Sequence, residues 1–174
     1  MLKWRNGNKP SEVSQRRPKT TTRPTTEIFP LTVDYDEKVE KLMEVGMETE
    51  METESWDWSL DNEDWYRFLV SYRTNCTGKV ETEAALVLFN RRITSEDAIA
   101  ELDRMGLRVG EIRELLTFGI KYPDKPEEFP IVALGSRVTS SHTAPFIWLG
   151  RCELFLGPWD EPWDENCRFL AFRK

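Results

Sequence analysis

From Lys79 to the end, the chain alternates between short apolar runs and helical stripes. "KVETEAALVLFNRR" (79–92) begins with alternation and closes in the apolar run Ala84–Phe89, which predicts a buried strand. "ITSEDAIAELDRMG" predicts a helix. Thr94 or Ser95 is its N-cap, acids fill its first turn, Ala98, Ile99, Leu102 and Met105 share one face, and Gly106 ends it. After "LRV" a second helix opens at Gly110. Ile112, Leu115, Leu116 and Phe118 form its apolar stripe, and it stops before Pro123. "EFPIVALGS" is then a strand that Gly135 allows to bend, and "APFIWLG", "CELFLG" and "CRFLAFRK" are three more. A strand, two helices and then a run of strands predict an α+β fold, with two helices packed on a small antiparallel sheet joined by long loops.

Upstream the pattern is weaker. Val39, Leu42 and Met43 recur at helical spacing and predict a short helix over Asp36–Val45, ended by Gly46. "METEMETES" is acidic and aperiodic, and reads as an exposed loop. In "SWDWSLDNEDWYRFLVSYR", Trp56, Trp58 and Trp65 read as packing residues, because Phe68, Leu69 and Val70 continue the apolar pattern.

Charge divides the chain. Residues 1–30 form a Thr/Pro-rich basic tail. Its first 29 positions hold seven basic residues against Glu12 and Glu27. Such a segment buries too little apolar surface to offset the entropy of ordering, so it is expected to be disordered. It could also serve as an arm for an acidic partner or for the body of its own chain. Residues 31–174 are expected to form a single domain. The whole chain has 174 residues and a net charge of -7, which argues against nucleic acid as the main partner. No apolar run is long enough to span a bilayer, and the N-terminus has no apolar signal core. The expectation is a cytoplasmic protein with no membrane insertion.

Candidate chemistry is sparse. Cys76, Cys152 and Cys167 are too scattered for a disulfide framework or a paired zinc site, and no metal is expected. The sole histidine, His142, follows Ser140 and Ser141 in a Ser/Thr-rich loop. Neighbours in an extended segment face opposite ways, so the trio is weak as a nucleophile and base, and an exposed loop histidine is the simpler reading. No glycine-rich phosphate loop occurs, and the sequence asks for no cofactor. Acid pairs such as Asp160 and Glu161 read as solvated loop charges. A non-enzymatic protein is the expectation.

The C-terminal stretch is different. Trp159, Trp163 and Cys167 fall four apart, and Leu154 and Leu156 alternate as strand residues do. Between them stand side chains with no common chemistry. A fixed frame of large apolar residues that carries mixed side chains has the form of a binding surface. An acidic loop over two packed tryptophans is the plainer alternative.

The stretch from "ITSEDAIAELDRMG" to "PIVALGS", a run of mixed residues, and the terminal "CRFLAFRK" resemble a family of small proteins from uncultivated bacteria and archaea. Those proteins resemble the variable proteins of diversity-generating retroelements. The resemblance covers residues 79–174 and extends weakly back to about residue 31. The helix-helix-strand order and the last strand are also similar to the C-type-lectin fold of the formylglycine-generating-enzyme type.

The resemblance implies that adenine-directed mutagenesis rewrites the 3′ end of the gene and that the fold presents the altered residues to a ligand, with a variable region at about 136–167. The Trp codon holds no adenine, so Trp148, Trp159 and Trp163 would be scaffold. The implied ligand-binding set is Cys152, Glu153, Phe155, Gly157, Pro158, Asp160, Glu161, Pro162, Asp164, Glu165 and Asn166. An AAC codon changed at its adenines yields Asp, Gly, Pro, Phe or Cys. It cannot yield Glu, so Glu153, Glu161 and Glu165 require another template codon or stay fixed. The implied partner is an unknown protein or other macromolecular ligand. Two alternatives go with the resemblance: a formylglycine-generating-type oxidase that uses Cys152 and Cys167, and a phage or cell-surface attachment protein.

Overall fold

A computed structural model describes residues 23–47, 75–139, 142–148 and 153–174. Most of the basic tail, the Met-Glu-Thr run from Glu48, the tryptophans of 56–65, Ser140, Ser141 and Cys152 lie outside the described residues.

The described residues form an α+β fold, with a seven-stranded open sheet and four helices. The strands are β1 (Thr25–Asp34), β2 (Lys79–Leu88), β3 (Leu107–Val109), β4 (Ile131–Val132), β5 (Thr143–Trp148), β6 (Glu153–Pro158) and β7 (Arg168–Arg173). The helices are α1 (Val39–Met47), α2 (Ser95–Arg104), α3 (Ile112–Lys121) and the single turn α4 (Lys125–Glu128).

The sheet is organised around β7. It pairs antiparallel with β2 along one side, Ala84 opposite Phe172 and Leu88 opposite Arg168. Along its other side β3 pairs antiparallel with the C-terminal half, while β4 pairs parallel with the N-terminal half. β1 lies outside β2, and β5 and β6 lie outside β4. The expected antiparallel sheet is therefore mixed. β4 enters from α4 in the same direction as β7, a crossover that strand patterns alone do not reveal.

Strands with both faces covered read as continuous apolar runs, as "AALVL" and "FLAF" do. Alternate side chains go to opposite faces. Leu86, Leu170 and Phe172 join Val39 and Met43 of α1 and the stripe Ile112, Leu115, Leu116 and Phe118 of α3. Ala85, Val87, Phe169 and Ala171 join Ala98 and Leu102 of α2, together with Phe89, Ile93, Trp159 and Trp163. The two predicted helices thus cover opposite faces of the sheet.

Local rules account for the helix ends. Thr94 caps α2, its side chain accepting from the Asp97 N–H at 3.1 Å, and Gly106 takes a left-handed φ of +75° just after it. At the start of α3 the Glu111 N–H donates to Glu114 at 2.8 Å. Gly110 lies where a Cβ would meet Leu170 Cγ at 2.8 Å, so only glycine lets the chain pass this close to β7. Glu114 is fully buried but well partnered. Arg108 forks onto it at 2.6 and 3.1 Å, and the Tyr35 hydroxyl donates to it at 2.5 Å. Burial and this hydrogen bond push the Tyr35 phenol upward in pKa, and the same carboxylate holds Arg108 upward.

Several expectations are corrected. Thr25–Pro30, the end of the predicted tail, belong to β1 and pair with Leu88–Glu83. The Thr and Lys richness of the whole segment hid a strand of threonines and apolar residues. Pro30 is tolerated because β1 is an edge strand. α1 starts at Val39 rather than Asp36, since the Asp36 N–H bonds to the Asp34 side chain at 3.1 Å in a turn, and it runs on past Gly46. Met105 points outward, 39% exposed. "EFPIVALGS" supplies only two strand residues, and β3 and α4 are too short for their periodicity to show in the sequence.

Candidate binding face

The β5–β6 hairpin leads directly into the segment 159–167, which folds back over the α2 side of the sheet. Its two tryptophans are buried, Trp159 to 5% and Trp163 to 7% exposure. Trp163 exchanges backbone hydrogen bonds with Ile93, at 2.8 and 3.2 Å. Its ring stands edge-on to Phe146 and Phe169, with centroids 5.9 and 6.4 Å away. The Trp159 N–H donates to the His142 carbonyl at 2.7 Å, and the Arg137 guanidinium lies 4.5 Å over its ring.

The first turn of α2 holds both indoles. Ser95 is fully buried. Its Oγ donates to the Trp159 carbonyl at 2.9 Å and accepts the Trp163 indole N–H at 3.0 Å. Glu96 accepts the Trp159 indole N–H at 2.5 Å. Every polar atom of the two rings is thereby satisfied inside the protein, which is the condition for burying tryptophan without penalty.

The residues between and around the rings are outside. Pro158, Asp160, Glu161, Pro162, Asp164, Glu165 and Asn166 are all exposed. Phe155 is half-buried and stacked on Phe146, with centroids 5.3 Å apart. Glu153 pairs with Trp148 across the hairpin. Their polar contacts lie at the surface: Arg92 to Asp164 at 3.7 Å and His142 Nδ1 to Asp160 at 3.2 Å. Each of these side chains is 60% exposed or more, so such contacts contribute little. His142 is exposed and takes φ +50° in the turn that precedes β5.

Two implied roles change. Gly157 has no room for a side chain. A Cβ there would lie 2.5 Å from Cζ3 of Trp163, so the position is part of the frame. Trp148 is not buried support like Trp159 and Trp163. It ends β5 and is 39% exposed, on the surface beside the loop. Trp148, Phe146, Pro158, Pro162 and Trp163 line a cavity of about 320 Å³, with Glu161, Asp164 and Arg92 also at its wall.

Cys167 is buried, and that burial pushes its thiol pKa up to about 11. A thiol held protonated is a poor nucleophile. Among the described residues, no group of three His, Cys, Asp or Glu side chains could hold a metal ion, and no helix is long and apolar enough to cross a membrane.

Ile93, Ser95, Glu96, Arg137 and Phe146 support the face, and the sequence did not mark them for that role. Ser95 and Glu96 carried a signal of another kind, as first-turn residues of a helix. That the same turn serves the tryptophans depends on a contact 64 to 68 residues away. Compared with known proteins, the chain matches no family model, no curated protein and no solved structure.

Proposed function

We propose that this is a non-enzymatic ligand-binding protein of C-type-lectin-like fold, whose C-terminal face is diversified by adenine-directed mutagenesis. The observation that carries the reading is the division of labour within 158–166. Trp159 and Trp163 are buried and hydrogen-bonded, while the residues beside them are exposed. A segment built this way accepts new side chains at its exposed positions without disturbing the core. The positions that must not change include two whose codon carries no adenine.

The contact set of the proposal is Phe155, Pro158, Asp160, Glu161, Pro162, Asp164, Glu165 and Asn166, with Cys152 and Glu153 beside it. Gly157 moves to the frame. The partner is a protein or other macromolecule, recognised by exchangeable side chains on a rigid aromatic base. The protonated, buried Cys167 gives no support to a thiol oxidase.

Deep sequencing of the 3′ end of the gene and its flanking DNA across a source population tests this. Scatter confined to adenine-derived changes at the exposed codons, constancy at Trp159, Trp163 and Gly157, and a nearby template repeat are the expected result. A single invariant sequence without a template repeat overturns it.

A further inference from the structure

We propose that the cavity between β5 and the Trp163 loop is a receptor for a guanidinium side chain, so that the partner presents an arginine to this face. The proposal rests on the reading of the face as a binding surface and names the chemistry it selects.

The walls of the cavity are aromatic and apolar. Trp148 is 39% exposed and lines the cavity, leaving part of a large apolar residue in contact with water. Phe146, the buried Trp163, Pro158 and Pro162 line it as well. Gly157 also lines it, with the Trp163 ring packed where its side chain would stand. The volume of about 320 Å³ is at the low end for a small-molecule site and suits one side chain of a larger partner.

The rim is acidic. Glu161 and Asp164 line the cavity, both exposed, with Asp160 and Glu165 next to them in sequence. Carboxylates and aromatic rings lining one cavity are complementary to one kind of side chain. It must be planar, weakly hydrated, able to stack on a ring and able to donate to carboxylates, and arginine meets each condition. The rim already attracts such a group. Arg92 stands there with its Nε 3.7 Å from Asp164 Oδ1, and its side chain is 66% exposed. That pair is loose enough to be displaced, and its presence makes Arg92 a competitor of the incoming arginine rather than its partner.

The test uses the whole protein and a short probe, acetyl-Gly-Arg-Gly-amide, titrated while the tryptophan indole N–H signals are followed by nuclear magnetic resonance. The Trp148 signal is assigned with Trp148→Phe. The peptide with citrulline in place of arginine has nearly the same shape and no charge. The expected result is a saturable shift of the Trp148 signal, with the citrulline peptide about tenfold weaker or worse. Glu161→Gln with Asp164→Asn abolishes the difference between the two peptides. Arg92→Ala strengthens arginine binding. Equal binding of both peptides, no binding at all, or shifts that leave Trp148 unmoved overturn the proposal. These outcomes are separate from the sequencing result: an invariant gene removes diversification and leaves the titration intact, and a failed titration leaves the diversification evidence untouched.

Discussion

Ser95 on α2 and Trp163 on the C-terminal loop are hydrogen-bonded, indole N–H to hydroxyl, at 3.0 Å inside the protein. The same hydroxyl donates to the Trp159 carbonyl. One small side chain therefore satisfies both turns of the loop, and the loop in turn completes the core on the α2 side of the sheet.

Removing that hydroxyl leaves a buried indole N–H and a backbone carbonyl without their partner. Ser95→Ala is expected to destabilise the protein by about 1–3 kcal/mol. Urea unfolding followed by tryptophan fluorescence measures it. A change within the range of an ordinary surface substitution, about 0.5 kcal/mol, contradicts the role given to Ser95.

Gly157 and its exposed neighbours separate frame from contacts. Gly157→Ala forces the Trp163 ring to move and is expected to cost about 1–3 kcal/mol, as overpacking does. Trp163→Ala opens a large cavity and is expected to cost about 3–5 kcal/mol. Asp160→Ala, Asp164→Ala and Glu165→Ala should each stay within about 0.5 kcal/mol, since all three are exposed. Thermal melts of the variants give the ranking. Equal losses across the two groups would mean that frame and contacts are not distinct.

Cys167 gives a pH dependence with a definite sign. Its thiol pKa in the fold, about 11, lies above its ordinary value of 9.0 because burial disfavours the thiolate. The folded state therefore holds its proton longer than the unfolded chain does. Its contribution to stability is complete below pH 9 and is lost as pH rises towards 11. Cys76 is exposed. Iodoacetamide at pH 8, followed by peptide mapping, should modify Cys76 rapidly and reach Cys167 only after denaturant is added. Rapid modification of native Cys167 would show that the strand end opens more readily than its packing implies.

Much of this protein could be read from periodicity. The runs Ala84–Phe89 and Phe169–Phe172 announced strands because both sheet faces are covered. The stripe from Ile112 to Phe118 announced a helix because its buried positions follow a 3.6-residue repeat, and all four of its apolar residues are in the core. Thr94 and Gly106 marked the limits of α2 through local backbone chemistry. The spacing of Trp159, Trp163 and Cys167 marked a frame, and each of the three is buried.

What sequence could not determine depends on partners distant along the chain. β3, three residues long, exists only because β7 lies beside it. Thr25–Pro30 became strand because β2 offered a ladder, against the composition around them. β4 runs parallel to β7, a relation of direction that no hydrophobic pattern encodes. The Trp163 ring against Gly157 and the two tryptophans bonded to Ser95 join residues that no local pattern connects. Local pattern fixes which side chains leave water. The tertiary structure decides which of them meet, because hydrogen bonds and steric contacts act over a few ångströms in space and take no account of separation along the chain.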